Sequence, residues 1–413
     1  MSTSIYLLDV DGVLLHPGGY REALKRTINH FSRAMGWGDC APEDSTALVF
    51  EAHGITNEWD MSAICLAALF VAARQYVSDL QLPRSVPDAL AVVQKYGVPP
   101  QQVDFAQTAR DVSAQMRSGE KPALAAPVAF SLALNSSSKG DSRSNLTALL
   151  DEILSTTRDI HRSHTLPVFQ TYALGSVAFE ETYSLDAPFD TPSMILEHDR
   201  PSISRSNREH LLHAAESDEI KSVVFTARPS LPPRETQVDA GYYAPEAELA
   251  VQMLELETLP MIGYGRVQWL AREFGVDPGL WVKPAPLHAL AAIGAAVSGD
   301  EKAGLLGAQA LVQEGRLQTP FSELMSDTLN VTVFEDSARG VLGAMRGVEI
   351  LRACGAECRL LAKGIATHPE KCANLEKVGA RVFADVDAAA FGSCSRTFAS
   401  TRSVTMRITE LER

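Results

Sequence analysis

Apolar and polar positions along this chain follow two periods, one typical of strands and one typical of helices. Short apolar runs bounded by turn residues or carboxylates predict buried strands, and apolar residues spaced by three and four predict helices. The predicted strands cover 4–10, 223–225, 280–282, 331–334, 359–362 and 382–384. The predicted helices cover 20–35, 56–77, 85–95, 101–116, 144–161, 206–217, 245–257, 267–274, 287–314, 338–354 and 369–378.

The order of these elements differs between the two parts of the chain. From about residue 200 onward, strands and helices alternate, which is typical of a parallel sheet with helices on both faces. Before that point the chain is almost wholly helical, and 117–147 is predicted as a loop or linker with at most one short helix. We therefore expect an α/β protein whose Rossmann-like core is formed by 1–16 and 200–413. Residues 17–199 would form an inserted, mostly α-helical cap domain.

Composition and charge limit the possible partners. With 37 basic and 51 acidic residues, the net charge of −14 argues against binding to nucleic acid, which needs a basic surface. No apolar run reaches the roughly 18 residues that a membrane helix needs, and the N-terminus does not read as a signal peptide. The six cysteines form no CxxC pair, which favours reduced thiols. We expect a cytoplasmic protein that acts on a small molecule.

Polar side chains follow four of the predicted strands. In open α/β sheets, ligands bind outside the carboxyl ends of the strands. Any one of these polar groups alone is more often a cap, a turn residue or a solvated side chain. Together, at successive strand ends, they predict an active site. The groups are Asp9 with Asp11, then Thr226, then Lys283, and finally Glu335 with Asp336.

The two aspartates after the first strand suggest a division of labour. Side chains two positions apart on a strand point the same way, so Asp9 and Asp11 would face one ligand. One carboxylate can attack phosphorus, while the other protonates the leaving oxygen and later activates water. Gly12 would let the chain turn close to that ligand.

The remaining groups fit the same chemistry. Clustered carboxylates need a cation, and an oxygen-only set of Asp9, Glu335 and Asp336 favours Mg²⁺. Lys283 would place a fixed positive charge beside the phosphoryl oxygens. Thr226 would donate its hydroxyl and its backbone N–H to the phosphate. Phosphoryl transfer depends on such positioning and charge stabilisation.

Four segments resemble the motifs of one known family. LLDVDGVL, VVFTARP, WVKPAP and VFEDSARGV resemble, in order, the four motifs of the haloacid dehalogenase (HAD) superfamily. The resemblance covers about 1–16 and 200–390. It implies a Rossmann-like core, Mg²⁺ and, usually, phosphatase activity through an aspartyl-phosphate intermediate. The insertion between the first two motifs is unusually long for a cap of this family.

The residues and the resemblance together give a set of candidate roles. Asp9 would be the nucleophile, Asp11 the general acid and base, and Ser337 a support for the metal carboxylates. The catalytic candidates are Asp9, Asp11, Thr226 and Lys283. The substrate-binding candidates are Gly12, Thr226, Ala227, Arg228 and Lys283. The metal candidates are Asp9, Asp11 through its carbonyl oxygen, Glu335 and Asp336.

Alternatives stay open within and beyond this family. The second aspartate separates the chain from the dehalogenases, and it lacks the Lys-Thr-Gly-Thr run of the P-type ATPases. A phosphomutase of the beta-phosphoglucomutase type would use the same machinery but return the phosphoryl group to substrate. A non-catalytic HAD-fold binding or regulatory protein is a third possibility, although unused clustered acids would destabilise the fold through repulsion.

The cap is expected to select the substrate. Its closure over the strand ends would exclude water and contact the leaving group. Arg228 could pair with a phosphate or a carboxylate. Substrate and oligomeric state are not fixed by the sequence. Candidate ligand contacts are Tyr20, Arg21 and a polar cluster that otherwise reads as a solvated helix end: His53, Asn57, Glu58, Trp59 and Asp60.

Overall fold

The computed structural model describes residues 2–117, 120–134, 141–236 and 243–391. Its strands alternate buried and partly exposed positions where one sheet face is less covered, as in β1. The strands are β1 (Ser2–Leu8), β2 (Leu15–His16), β3 (Arg200–Pro201), β4 (Lys221–Phe225), β5 (Met261–Ile262), β6 (Thr328–Glu335), β7 (Glu357–Ile365) and β8 (Arg381–Phe383).

Helices make up most of the rest of the described chain. Each of them falls short of the length or the apolar character that a bilayer crossing requires. The first ten are α1 (Gly18–Ala34), α2 (Asp44–Ala52), α3 (Glu58–Tyr76), α4 (Val86–Lys95), α5 (Phe105–Gln115), α6 (Pro122–Leu134), α7 (Asp141–Leu154), α8 (Leu166–Leu174), α9 (Ser176–Tyr183) and α10 (Met194–His198). The others are α11 (Arg205–Glu216), α12 (Glu246–Met253), α13 (Tyr264–Glu273), α14 (Pro286–Ser298), α15 (Glu301–Glu314), α16 (Ala338–Ala353), α17 (Pro369–Lys377) and α18 (Val386–Phe391).

The central sheet has the order β5-β4-β1-β6-β7-β8, and its strand pairs are all parallel. Ile5 and Leu7 of β1 point into a core shared with α13 to α16. Leu8 points to the opposite face, where α11 and α12 contribute Leu211 and Ala247. Helices therefore cover both faces of a parallel sheet. The predicted fold class, a Rossmann-like α/β core with a helical insertion, is confirmed.

The insertion carries α1 to α10, and the chain leaves and re-enters the core through the antiparallel pair of β2 and β3. Its apolar side chains form one cluster over residues 20–195, joined by Ala244 of the core. Helix α3 lies at the centre of this cluster because its sequence is apolar on most sides. The proposed boundaries of core and cap stay predictions.

The 117–147 region, predicted as a loop or linker with at most one short helix, contains α6 (Pro122–Leu134) and the start of α7. Pro122 begins α6, where a missing backbone N–H is tolerated in the first turn. Helix α6 then packs against α3, α5 and α7. Because α7 begins at Asp141, the helix predicted over 144–161 starts and ends earlier than expected. The predicted tail from 392 onward, including a strand at 404–408, lies outside the described residues.

Two predictions near Lys283 were wrong. Residues 280–282 are not a strand: Asp277 accepts a hydrogen bond of 2.8 Å from the Gly279 N–H and starts a 3₁₀ turn. The strand on this side of β4 is instead β5, which has only two residues and gives no apolar run to detect. The helix predicted over 287–314 is two helices, because Gly299 is left-handed (φ 72°) and Asp300 caps α15.

Candidate active site

The carboxyl ends of three neighbouring strands bring the predicted residues together. In the sheet register, Leu8 lies beside Val224 on one side and Phe334 on the other. Asp9, Thr226 and Glu335 therefore emerge at one edge. Lys283 reaches the same edge from the loop before α14 and lies 3.1 Å from Asp9 Oδ1. Four separate parts of the sequence thus meet at one point.

Asp9 is buried among charged neighbours. Its Oδ1 accepts a hydrogen bond of 2.8 Å from the Val10 N–H. Lys283 also pairs with Glu335, which accepts a bond of 3.0 Å from the Ser337 hydroxyl. Burial and the charge of Glu335 raise the pKa of Asp9 well above its usual value, although Lys283 opposes the shift. Burial alone would lower the pKa of Lys283, but the carboxylates of Asp9 and Glu335 raise it.

A cation fits the carboxylates at this edge. Asp9, Glu335 and Asp336 each offer an oxygen, and these oxygens lie within 4.8 Å of one another. Their mutual repulsion raises the pKa of Asp9, so a positive ion between them would relieve it. An all-oxygen donor set suits Mg²⁺. The Asp11 carboxylate is not part of this group, so its assignment to a metal concerns only its backbone carbonyl.

Asp11 is held by Arg228. The Arg228 Nε donates to Asp11 Oδ2 at 3.2 Å, and a second guanidinium nitrogen donates to Oδ1. The Arg228 side chain is 0% exposed and also contacts Asp199, whereas the Asp11 side chain is 31% exposed. Arg228 therefore faces carboxylates, and Asp11 is the one of the two open to a ligand. Ala227 is exposed at the same strand end.

Thr226 offers a ligand its side-chain hydroxyl but not its backbone N–H. Its hydroxyl oxygen accepts a hydrogen bond of 3.1 Å from the Arg228 N–H, which leaves the hydroxyl proton to donate. Its backbone N–H donates to the Ile262 carbonyl oxygen at 3.1 Å. The expectation that this N–H contacts a phosphate is therefore wrong, because β5 uses it to extend the sheet.

The insertion reaches this edge of the sheet through charged side chains. Lys371 of α17 lies 2.7 Å from Asp336 Oδ2 and 2.6 Å from Glu51 of α2. Glu51 also lies 3.5 Å from Arg21. Burial and the charges of Asp11 and Glu51 raise the pKa of Glu58 to about 8. Ion pairs therefore hold the insertion against the strand ends.

The polar cluster at the start of α3 divides into different roles. Asn57 caps the helix by accepting hydrogen bonds from the Trp59 and Asp60 N–H groups. Asp60 is fully buried and pairs with Thr157 and Arg158, so it is structural. Glu58 is the member of the cluster whose pKa is raised by the nearby charge of Asp11, in addition to burial.

Three residues at the site were missed by sequence reasoning: Asp199, Lys371 and His288. Neither Asp199 nor Lys371 lies in one of the four motifs, and both reach the site only through the fold. His288 is fully buried, and its Nδ1 accepts a hydrogen bond of 3.2 Å from the Lys283 N–H. Its Nε2 lies 3.0 Å from the Ile262 carbonyl oxygen, which also receives the Thr226 N–H. His288 therefore links the two predicted phosphate-binding positions.

Comparisons with known proteins bear on the fold. No family model matches the chain, and no curated protein does. A structural-genomics target solved by X-ray crystallography by the Northeast Structural Genomics Consortium is 14% identical, with a TM-score of 0.56 over 94% of this chain and 97% of that one. The phosphatase Tt82 from Thermococcus thioreducens is 15% identical, with a TM-score of 0.38 over 86% and 91% of the two chains. The first likeness supports the α/β fold; the second is too weak to carry an argument.

Proposed function

We propose that this chain is a Mg²⁺-dependent phosphatase of the HAD type that cleaves a small phosphate monoester through an aspartyl phosphate on Asp9. The observation that carries the proposal is the grouping of Asp9, Lys283, Glu335 and Asp336 at one strand edge. A buried nucleophilic carboxylate beside a fixed cation and a carboxylate pair is the arrangement that phosphoryl transfer needs. The four HAD-like sequence motifs supply these same residues.

In the first step, a carboxylate oxygen of Asp9 forms a bond to phosphorus while the bond from phosphorus to the ester oxygen breaks. Asp11 gives its proton to that oxygen, and the alcohol leaves. In the second step, Asp11 takes a proton from a water molecule whose oxygen attacks the phosphorus. The bond to Asp9 breaks, inorganic phosphate is released, and both aspartates return to their starting forms.

The other residues stabilise charge and orient the phosphoryl group. Lys283 would offset negative charge on the phosphoryl oxygens, and the Thr226 hydroxyl would donate to one of them. Asp9, Glu335, Asp336 and the Asp11 carbonyl would hold Mg²⁺, which when bound supplies charge neutralisation between the nucleophile and the phosphate. The exposed strand-end position of Ala227 and the turn at Gly12 would leave the phosphate room to approach.

The seated cap favours a small substrate. Glu51 binds Lys371, and the Ala52 carbonyl oxygen accepts a hydrogen bond of 3.2 Å from Asn374, so α2 lies against α17 beside the site. A substrate must fit beneath this contact or displace it. Closure over a bound phosphate would also exclude bulk water until the phosphoenzyme has formed.

The test is phosphate release from a panel of small phosphate monoesters, with and without Mg²⁺. We expect turnover of at least one compound that depends on Mg²⁺ and disappears in Asp9→Asn. Asp88→Asn, an exposed position on α4, removes the same charge far from the site and should keep full activity. Accumulation of a bisphosphate in place of inorganic phosphate would indicate a phosphomutase. Absence of phosphoryl transfer from every compound would favour a non-catalytic binding protein.

A further inference from the structure

The guanidinium of Arg228 lies between two carboxylates. One side of it donates to both oxygens of Asp11, the candidate general acid. On the other side, Nη1 and Nη2 each lie 3.1 Å from Asp199 Oδ2. The side chains of Arg228 and Asp199 are both 0% exposed. Arg228 is therefore fixed by the protein, and a ligand reaches Asp11 rather than the arginine.

Asp199 lies where the insertion rejoins the core. It directly precedes β3, and its Oδ1 accepts a hydrogen bond of 2.7 Å from the Gly19 N–H at the start of α1. Gly19 follows β2, the strand through which the chain enters the insertion. The Asp199 carboxylate therefore links the two connections between the insertion and the core, and it also binds Arg228.

Further contacts seat Arg228 against the insertion. The ring of Tyr20 in α1 lies under the guanidinium, with its centroid 4.5 Å from the central carbon. The Tyr20 hydroxyl donates to Glu246 of α12, and the other Glu246 oxygen accepts 2.7 Å from Gln170 of α8. All of these side chains are buried. The position of Arg228 is therefore set by residues from both the insertion and the core.

We propose that Arg228 is a positioning residue that holds Asp11 in the orientation for proton transfer, and that Asp199, at the junction of insertion and core, sets its position. This inference rests on the proposed function. A planar guanidinium that binds both carboxylate oxygens fixes the rotation of the carboxyl group, which a lysine cannot do. The geometry of the acid is thereby coupled to the seating of the cap.

The second carboxylate has an electrostatic purpose. A buried guanidinium without a carboxylate partner is strongly disfavoured. Asp199 binds Arg228 on the side away from Asp11, so the guanidinium keeps a fixed partner that takes no part in the reaction. Arg228 therefore stays in place while Asp11 transfers its proton.

Leaving-group dependence tests this role. A p-nitrophenolate leaves without a proton, whereas an alkoxide needs one from Asp11. We expect Arg228→Lys to lower kcat/KM for an alkyl phosphate at least about 10-fold more than for p-nitrophenyl phosphate, since general acids contribute roughly 100-fold or more. Asp199→Asn should show the same bias to a smaller degree, and Asp11→Asn to a larger one.

Arg266 provides a matched control. It is also buried between two carboxylates, Glu248 and Glu301, in the core next to β5. Arg266→Lys should change kcat/KM for both substrates by the same factor. Equal losses on both substrates in Arg228→Lys would overturn the positioning role while leaving the phosphatase proposal intact. Absence of hydrolysis by the wild-type protein would remove both.

Discussion

Gly12 and Asp336 approach each other so closely that no side chain fits between them. A Cβ at Gly12 would lie 2.5 Å from Asp336 Oδ2, and the backbone there has φ +75°. The backbone of the loop after β1 therefore packs directly against the side chain of Asp336 at the end of β6. This contact places Asp336 against the turn that follows Asp9.

Gly12→Ala should weaken Mg²⁺ binding, because the added methyl group must push Asp336 away from Asp9 and Glu335. Gly38 is a matched control, since it has φ +73° and nothing within 4 Å of a built Cβ. Both variants carry the left-handed backbone penalty of about 1 kcal/mol, but only the first meets a carboxylate. Calorimetric titration with Mg²⁺ checks this; equal Mg²⁺ affinities in the two variants would contradict it.

Lys283→Met should destabilise the protein by about 3–5 kcal/mol, because it leaves the buried carboxylates of Asp9 and Glu335 without their cation. Lys121→Met removes a lysine from an exposed pair with Asp277, where less than about 1 kcal/mol is expected. Urea unfolding without Mg²⁺ measures both. Added Mg²⁺ should restore part of the stability lost in Lys283→Met, since it supplies charge to the same carboxylates. A loss as small as that of Lys121→Met would show that the buried charges are compensated elsewhere.

His288 should make the fold less stable in acid. Burial lowers its pKa to about 3, while an unfolded histidine has a pKa near 6.5. Between these values the unfolded chain binds the extra proton, so stability falls as pH drops, by about 1.4 kcal/mol per pH unit from this group. The loss begins near pH 6.5 and is complete near pH 3.

Comparison of variants isolates that contribution. The slope of unfolding free energy against pH should flatten by this amount in His288→Gln, which can still accept or donate a hydrogen bond. His213→Gln, at an exposed position of α11, should keep the wild-type slope. Identical slopes in all three proteins would mean that His288 binds its proton in the folded protein at the same pH as in the unfolded chain.

The sequence predicted those parts of the site that follow from strand ends. Asp9 and Glu335 come after apolar runs long enough to recognise, and the parallel order of β1, β4 and β6 brings these runs together. Lys283 lies at the predicted edge of the sheet, but it does not follow a strand as expected. It follows a 3₁₀ turn instead. The short strand β5 was missed because two residues give no periodicity.

Contacts made across the fold were beyond sequence reasoning. Asp199, Lys371 and Glu51 are single charged residues with no local pattern. The core brings Lys371 to Asp336, and the seating of the insertion brings Glu51 to Lys371. Asp199 reaches Arg228 where the insertion rejoins the core. The length of helix α6 was missed for a different reason. The prolines and the serine of α6 resemble a linker, while the helix is held by packing against α3 and α5.

The proposed function requires Asp9 to carry the phosphoryl group during turnover. An acyl phosphate is reduced by borohydride, which would convert the modified aspartate to homoserine. We would mix the protein with Mg²⁺ and a hydrolysed monoester, quench in acid during turnover, reduce, and map the peptides by mass spectrometry. We expect homoserine at position 9, and none without substrate. Turnover with an unmodified Asp9, or with the modification at another residue, would contradict it.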